Sequence, residues 1–294
     1  MEFVPLLPTL HMLGEGPSWS PAEAALWFVD IPALRIHRVD WATRAAESWA
    51  MPSEPGSLAP IGDGTVVVAL RDGFHHFDPS TRRLQPVALP GHDTRALRFN
   101  DGRCDPAGRF WAGSMDTTRA GPNGALWCLD RGRLVAGPGG VTISNGLAFS
   151  LDGRWMHHAD SAAREIYRYA YDPATGAVGE RSVWFRCPEG CGAPDGASFD
   201  AEGFYWIAMY GGACLLRIAP DGVVDRRMAV PAACPTMVGF AGPDLDTMVV
   251  TTSRHGRPAD ELAALPLSGA VLVADAGVRG VAEAPYRAPP PPAA

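Results

Sequence analysis

Several features that mark other protein classes are missing from this sequence. No apolar run reaches the ~18 residues that a transmembrane helix needs. Acidic residues outnumber basic ones, 32 to 25, and the formal net charge is -7. That charge argues against non-specific binding to nucleic acid, which requires a basic surface. The first residues have no basic segment, carry Glu2 and are interrupted by Pro5 and Pro8, so no signal peptide is predicted. We expect a cytoplasmic protein that contacts neither membrane nor nucleic acid.

The cysteines lack the spacing of a metal or disulfide framework. Only Cys187 and Cys191 lie close together, and no second Cys or His pair at ligand spacing accompanies them. In a chain without a predicted signal peptide, we interpret all six as reduced thiols. They are Cys104, Cys128, Cys187, Cys191, Cys214 and Cys234.

Helical periodicity is also scarce, and Pro258–Leu265 is the one segment that favours a short helical turn. Short apolar runs instead recur with a period of about 40–50 residues, which is the signature of a repeat fold. Six copies can be aligned, and their first residues are Trp19, Ile61, Cys104, Phe149, Phe199 and Phe240. Regular short strands at this period are typical of propeller blades. A pair of β-sandwiches is the alternative, but it would not predict six copies.

Turn chemistry bounds many of these strands, because Asp-Gly and Asp-Pro pairs favour tight turns. Such pairs begin at Asp63, Asp72, Asp78, Asp105, Asp152, Asp172 and Asp221. We therefore predict an all-β fold in which residues 1–287 form a single six-bladed β-propeller domain. Phe3–Leu10 would complete the last blade and close the ring. Residues 288–294, which are rich in proline, are predicted to be a disordered tail.

A second pattern lies in phase with four of the six repeats. An acid or amide precedes glycine at Glu15-Gly16, Asp101-Gly102 (with Asn100 before it), Asn145-Gly146 and Asp195-Gly196. Each pair lies about one strand ahead of an aromatic strand residue: Trp27, Trp111, Trp155 and Trp206. Because in-phase positions of a propeller share one height around the axis, these polar groups should converge at one mouth of the central channel.

An isolated Asp-Gly or Asn-Gly pair is usually just a turn. Glu15 is a poor turn former, however, so turn propensity does not explain Glu15-Gly16. Carboxylates that converge in a narrow channel repel one another unless a cation lies between them. Oxygen ligands with about two negative charges suit a hard divalent ion. The pattern therefore predicts a central metal-binding channel.

Four segments carry a family resemblance: LGEGPSW (13–19), RFNDGRCDPAGRFWAGSM (98–115), ISNGLAFSLDG (143–153) and PDGASFDAEGFYWIAMYGG (194–212). They resemble the senescence-marker-protein, gluconolactonase and regucalcin family of sugar lactonases. The resemblance implies a six-bladed propeller with one divalent metal ion, Ca²⁺ before Zn²⁺, Mn²⁺, Mg²⁺ or Fe²⁺. It implies Glu15, Asn145 and Asp195 as metal ligands, and Arg98 and Asn100 as substrate-binding residues.

The activity implied is hydrolysis of an aldono-lactone, such as glucono-, xylono- or arabinono-lactone, to the aldonic acid. The ion would polarise the lactone carbonyl, and Asp195 would be the catalytic general base. Vertebrate members also use a Glu shortly after a Gly-Thr-Met-like turn, whereas here Gly113-Ser114-Met115 is followed by Asp116 and two threonines. That departure concerns the loop that shapes the sugar pocket.

Two other functions remain compatible with a propeller, because a fold alone does not decide a function. One is a phosphotriesterase-like hydrolase, since a metal can also polarise a phosphoryl oxygen. The other is a non-catalytic calcium-binding or scaffold propeller, which would need exposed anchor residues rather than acids in the channel. The expected partner is a small-molecule sugar lactone, and the expected state is a monomer or a weak homo-oligomer.

Overall fold

The computed structural model describes residues 2–289. These residues form six four-stranded antiparallel sheets that surround a channel, so the predicted six-bladed β-propeller is confirmed. Residues 290–294 of the predicted tail lie outside the described part of the chain, and residues 288 and 289 belong to no strand or helix.

The strands run outward from the channel in chain order in the first five blades. The chain begins with β1 (Val4–Pro5), which belongs to the sixth blade. Blade 1 contains β2 (Gly14–Ser20), β3 (Ala25–Asp30), β4 (Arg35–Asp40) and β5 (Ala46–Ala50). Blade 2 contains β6 (Ser57–Pro60), β7 (Val66–Leu70), β8 (Gly73–Asp78) and β9 (Arg83–Ala88). Blade 3 contains β10 (Leu97–Cys104), β11 (Phe110–Asp116), β12 (Gly124–Asp130) and β13 (Arg133–Val141).

The second half of the ring repeats this plan. Blade 4 contains β14 (Ser144–Phe149), β15 (Trp155–Asp160), β16 (Glu165–Asp172) and β17 (Ala177–Arg186). Blade 5 contains β18 (Ala193–Phe199), β19 (Tyr205–Tyr210), β20 (Cys214–Ile218) and β21 (Val224–Ala229). Blade 6 contains β22 (Cys234–Ala241), β23 (Thr247–Ser253), β24 (Leu272–Asp275) and finally β1. The short helix α1 (Ala259–Ala264) lies within the segment that the sequence favours as helical.

The N-terminal segment closes the ring, as the sequence predicts. Val4 of β1 pairs antiparallel with Val273 of β24, and the Leu6 amide donates to the Val271 carbonyl at 2.8 Å. The buried Leu6 side chain belongs to an apolar cluster that joins blade 6 to blade 1 through Phe28. Residues from the two ends of the chain thus share one sheet.

Burial decreases from the axis to the rim of each blade. The second strands β3 and β7 are buried along their whole length because neighbouring blades cover both of their faces. The outermost strands, such as β5 and β21, are mostly exposed. The seven Asp-Gly and Asp-Pro pairs lie at or beside the turns between strands, as predicted. All six cysteines are free. Within residues 2–289, no helix has the length and apolar character needed to cross a membrane.

Ring closure yields the first testable prediction. We expect Leu6→Ala to destabilise the protein by about 2–4 kcal/mol, because it removes buried methyl groups at the joint between blades 6 and 1. Leu10 is 43% exposed, so Leu10→Ala is the matched control and should change stability by less than ~0.5 kcal/mol. The free energy of unfolding from urea titration measures both changes, and equal effects of the two substitutions would contradict this account of closure.

Candidate metal and active site

A β-bulge interrupts the innermost strand of each blade that carries the in-phase polar residues. The pairing with the second strand shifts between Glu15 and Ser18 in β2 and between Asn145 and Ala148 in β14. In β10 and β18 the shift begins one residue earlier, directly before the polar residue. A bulge bends the strand and redirects its side chains. At Gly16 and Gly146 the backbone has positive φ, 56° and 61°, which glycine adopts without steric cost. The bulge therefore explains the glycine at these two positions.

The strand register corrects one detail of the predicted phase. Residues three positions after Glu15, Asn145 and Asp195 pair with Trp27, His157 and Trp206 of the second strands. In blade 3 the residue that pairs with the corresponding Trp111 is Arg103. The in-phase residue there is therefore Asn100, three positions before Arg103, and not Asp101. In blade 4 the in-phase aromatic is His157, and Trp155 lies two residues before it.

Hydrogen bonds join the predicted site residues of blades 3 and 4. Asn100 Nδ2 donates to Asn145 Oδ1 at 2.7 Å and to the Ser144 carbonyl at 2.8 Å. Arg98 donates to Asn100 Oδ1 at 2.8 Å. Asn145 Nδ2 in turn donates to Ser161 Oγ at 2.8 Å. Asn145 is therefore oriented from both sides.

Glu15 lies on the innermost strand of blade 1 and Asp195 on the innermost strand of blade 5. Both side chains are almost completely buried, and each carboxylate raises the energy of ionising its neighbours. Burial, together with the charge of Asp101, raises the pKa of Glu15 to about 8. Burial, together with the charges of Glu15 and Asp101, raises the pKa of Asp195 well above its usual value. The two acids are thus electrostatically coupled across the channel.

Asp101 and Arg98 complete this group of charges. The Leu147 amide donates to Asp101 Oδ2 at 2.8 Å, while Asp101 Oδ1 is buried without a hydrogen-bond partner among the described residues. Burial raises the pKa of Asp101 to about 6. Burial lowers the pKa of Arg98 to about 10, although the charges of Glu54 and Glu15 oppose that change. The sequence pattern therefore identified Asp101 as a polar channel residue, but it wrongly treated Asp101 as the equivalent of Glu15, Asn145 and Asp195.

The donor set fits a hard divalent cation. Its potential ligands are carboxylate and amide oxygens, which Ca²⁺ and Mg²⁺ prefer. Neighbouring buried acids have raised pKa values when too little positive charge lies near them. A divalent cation would supply that counter-charge and allow both Glu15 and Asp195 to ionise.

Comparisons with known proteins identify the family of this chain. The sequence profile of the family described as the SMP-30/Gluconolactonase/LRE-like region matches residues 13–254. The chain belongs to this family. It is 41% identical to 6-deoxy-6-sulfogluconolactonase from Pseudomonas putida, over 92% of this chain and 94% of that protein. It is 36% identical to a pentonolactonase from Haloferax volcanii, over 86% of each chain.

A solved structure shows the same architecture. The crystal structure of regucalcin from Agrobacterium tumefaciens, described as a calcium-binding protein, superposes with a TM-score of 0.92. The two proteins share 30% sequence identity, and the match covers 96% of each chain. The propeller of the SMP-30/gluconolactonase family is therefore retained along almost the whole chain.

The loop in which this family member departs from the vertebrate pattern lies beside Arg98. Met115 pairs with Arg98, and Asp116 pairs with Leu97. Asp116 does not reach the channel as a free acid, because Thr118 donates to its Oδ1 through both the amide and the hydroxyl. Asn123 donates to its other oxygen at 2.8 Å. Asp116 therefore fixes the conformation of residues 117–123.

The far end of the channel is filled by groups that the sequence did not indicate. Arg103 donates to Ser198 Oγ and to the Ala197 carbonyl, so it spans from blade 3 to blade 5. Glu283 of the C-terminal segment forms an ion pair of 2.6 Å with Arg103. A cavity of about 340 Å³ lies beside this pair and is separate from the polar group at the other mouth. Residues 281–287 run across this end of the propeller, with the Arg287 amide donating to the Gly108 carbonyl.

The coupled acids yield a pH prediction for metal-free protein. Glu15 holds its proton in the folded state up to a pKa of about 8, whereas in the unfolded chain it ionises near its usual value. Its contribution to stability is therefore present at low pH and is lost as the pH rises through 8. We expect the free energy of unfolding to fall between pH 7 and 8 by up to about 1.4 kcal/mol for each proton held.

Urea titrations at several pH values test this expectation. The histidines whose pKa burial lowers, among them His37 and His157, contribute a slope of the opposite sign that fades toward pH 8, because they are partly protonated in the unfolded chain alone. The comparison of wild type with a Glu15 variant removes this contribution. Glu15→Gln should flatten the dependence, while Glu47→Gln at the exposed rim should leave it unchanged. Saturating Ca²⁺ should also flatten it, because the ion favours the charged carboxylates. The same pH dependence in metal-free wild type and Glu15→Gln would show that Glu15 is not held protonated.

Proposed function

We propose that this protein is a metal-dependent lactonase that hydrolyses a sugar lactone to the corresponding aldonic acid. The observation that carries the proposal is that Glu15 and Asp195, on the innermost strands of two blades, are buried within range of each other's charge. Asn145, on the innermost strand of a third blade, is buried and is held by Asn100. Membership of the SMP-30/gluconolactonase family and the lactonase names of two relatives support it. The inward direction of these polar groups favours an enzyme over a scaffold propeller, which has no need of acids in its channel.

Glu15, Asn145 and Asp195 would hold the ion, with Ca²⁺ first among the candidates and Zn²⁺, Mn²⁺, Mg²⁺ or Fe²⁺ as alternatives. Each residue offers an oxygen, and the two carboxylates balance a divalent charge. Asn100 and Ser161 orient the Asn145 amide through hydrogen bonds of 2.7 and 2.8 Å. Such outer contacts fix the ligand geometry before any ion binds.

Lactone hydrolysis requires a water oxygen to attack the carbonyl carbon and the ring C–O bond to break. A divalent ion bound here would act as a Lewis acid toward the lactone carbonyl. Asp195 is the proposed general base: it accepts a proton from the attacking water and returns a proton to the ring oxygen as that oxygen leaves. The buried position of Asp195 removes competing solvent from this proton transfer.

Arg98 and Asn100 are the proposed substrate-binding residues. The Arg98 guanidinium has five donor hydrogens, and its described bonds are to the Phe99 carbonyl and to Asn100 Oδ1. Remaining donors can bind sugar hydroxyls. Asn100 also donates both of its described hydrogen bonds toward blade 4. It therefore has a structural task at Asn145 in addition to the substrate contact that the sequence suggested.

A panel of substrates tests the function directly. Protein stripped with a chelator should be inactive, and Ca²⁺ or another divalent ion should restore opening of glucono-, xylono- and arabinono-lactone. A pH-indicator assay measures the acid released. A phosphotriester should not be hydrolysed under the same conditions. The proposal fails if stripped and reloaded protein open every lactone at the uncatalysed rate, or if the phosphotriester is the preferred substrate.

The role of Asp195 gives a separate prediction. Asp195→Asn keeps an oxygen ligand but removes the basic carboxylate, so the fully metallated variant should lose about 10²–10⁴-fold in kcat. Elemental analysis must show equal metal content in variant and wild type. Asp152→Asn, at a surface turn, is the control and should retain full activity. If metallated Asp195→Asn turned over at the wild-type rate, another group would have to accept the proton.

A further inference from the structure

A second cluster of metal-ligand side chains lies outside the channel, in blade 1. One nitrogen each of His11 and His37 and a carboxylate oxygen of Asp30 lie within 4.8 Å of one another. His11 Nδ1 is 3.7 Å from Asp30 Oδ2. Two ligand atoms on a tetrahedral ion with bonds of 2.0–2.1 Å are about 3.4 Å apart. The His11–Asp30 spacing of 3.7 Å is therefore close to that of a formed site, and the other spacings in the cluster are at most 4.8 Å.

Hydrogen bonding within the protein leaves this cluster incomplete. His37 is 9% exposed, and its Nε2 is buried without a hydrogen-bond partner. Such a nitrogen is unfavourable in a core unless something binds it. The His11 and His37 rings meet edge to face, with centroids 4.7 Å apart at 73°.

Asp30 does not require the two histidines for its structural task. It accepts the Met12 and Leu13 amides at 2.9 and 3.1 Å. In blade 4 the equivalent Asp160 accepts the Thr142 and Ile143 amides at 2.9 and 3.0 Å. The positions there that correspond to His11 and His37 are Val141 and Tyr167. The carboxylate thus caps the same turn in both blades, and blade 4 has no histidines at the two corresponding positions.

Both histidines are in the form that binds metals. Burial lowers the pKa of His37 to about 3 and lowers that of His11, with Asp30 partly opposing the change. Neutral imidazoles present a lone pair at neutral pH without competition from protons. This cluster shares no residue with the proposed channel ligands Glu15, Asn145 and Asp195.

We propose that His11, Asp30 and His37 form a structural Zn²⁺ site at the seam where the propeller closes. Two imidazoles and one carboxylate favour Zn²⁺ over Ca²⁺, which prefers oxygen ligands. His11 follows β1, whereas Asp30 and His37 lie on β3 and β4. Phe28, which stacks on His37 at 4.6 Å, belongs to the apolar cluster between blades 6 and 1. Zn²⁺ would therefore tie the ring-closing segment to blade 1.

Metal content and thermal stability test the site without relying on activity. Stripped wild type, dialysed against Zn²⁺, should retain one more ion per chain than His37→Phe, which keeps a ring against Phe28. Zn²⁺ should raise the melting temperature of wild type by several degrees more than that of the variant. His157→Phe is the matched control, because His157 is also buried with an unpartnered nitrogen but lies among aromatic rings. It should behave as wild type.

Co²⁺ provides an independent spectroscopic probe. Its visible absorption is stronger in a tetrahedral nitrogen-containing site than with oxygen ligands alone, and we expect this band in wild type and not in His37→Phe. If His37→Phe does not fold, His11→Phe serves as the second variant. Equal Zn²⁺ content and equal thermal response in wild type and a folded variant would overturn the proposal. With saturating Ca²⁺, His37→Phe should hydrolyse lactones at the wild-type rate, so failure here leaves the channel site unaffected.

Discussion

The burial of like charges in one channel is the constraint on which the rest of the site depends. Glu15, Asp101 and Asp195 are each almost completely buried, and each raises the pKa of another member of the group or has its own raised by burial. In water these acids would separate. The closed ring prevents separation because every blade is held by its two neighbours. Ionisation of these acids is therefore opposed until a cation is bound, and cation binding and folding become linked.

The β-bulges convert a repeated sequence into this concentrated charge. A regular strand would alternate its side chains between the two neighbouring blades, and few would point along the channel. The shift in register after Glu15 and after Asn145 releases two residues from the ladder in each strand. Gly16 and Gly146 adopt the positive φ that this requires. The same local device, repeated around an axis, brings residues from distant parts of the sequence to one height.

Much of the fold follows from the sequence, because the repeat period and turn chemistry are local signals. The count of six blades, closure by the N-terminal segment and the helical turn near Ala259 were all predictable. Three of the channel residues, Glu15, Asn145 and Asp195, were also found by phase. In blade 3 either Asn100 or Asp101 could occupy the position that is in phase with the other blades. Asp101 matched the pattern of an acid or amide directly before glycine, although Asn100 is the residue in phase. Only the pairing of Arg103 with Trp111 distinguishes them.

Features formed by contacts between distant segments could not be predicted in this way. The Arg103–Glu283 ion pair joins an inner strand to a C-terminal segment without regular structure. Its position depends on how residues 276–287 cross the propeller, which no local pattern encodes. His11, Asp30 and His37 likewise fall on three separate segments, and each alone resembles an ordinary strand or loop residue. The packing of β3 and β4 against the N-terminal segment brings them together.

Blade 6 connects ring closure to the channel even though it supplies no acid. The ion ligands proposed on blades 1 and 5 flank it, so the separation of Glu15 from Asp195 is set by the width of this blade. Thr236 occupies the bulge of β22 and donates to the Gly14 carbonyl at 2.5 Å, directly before Glu15. The outer edge of the same blade is completed by β1 from the N-terminus. Loosening the N-terminal strand would therefore shift Glu15 relative to Asp195, and binding a cation between them must in turn stabilise the closed ring, because linkage acts equally in both directions.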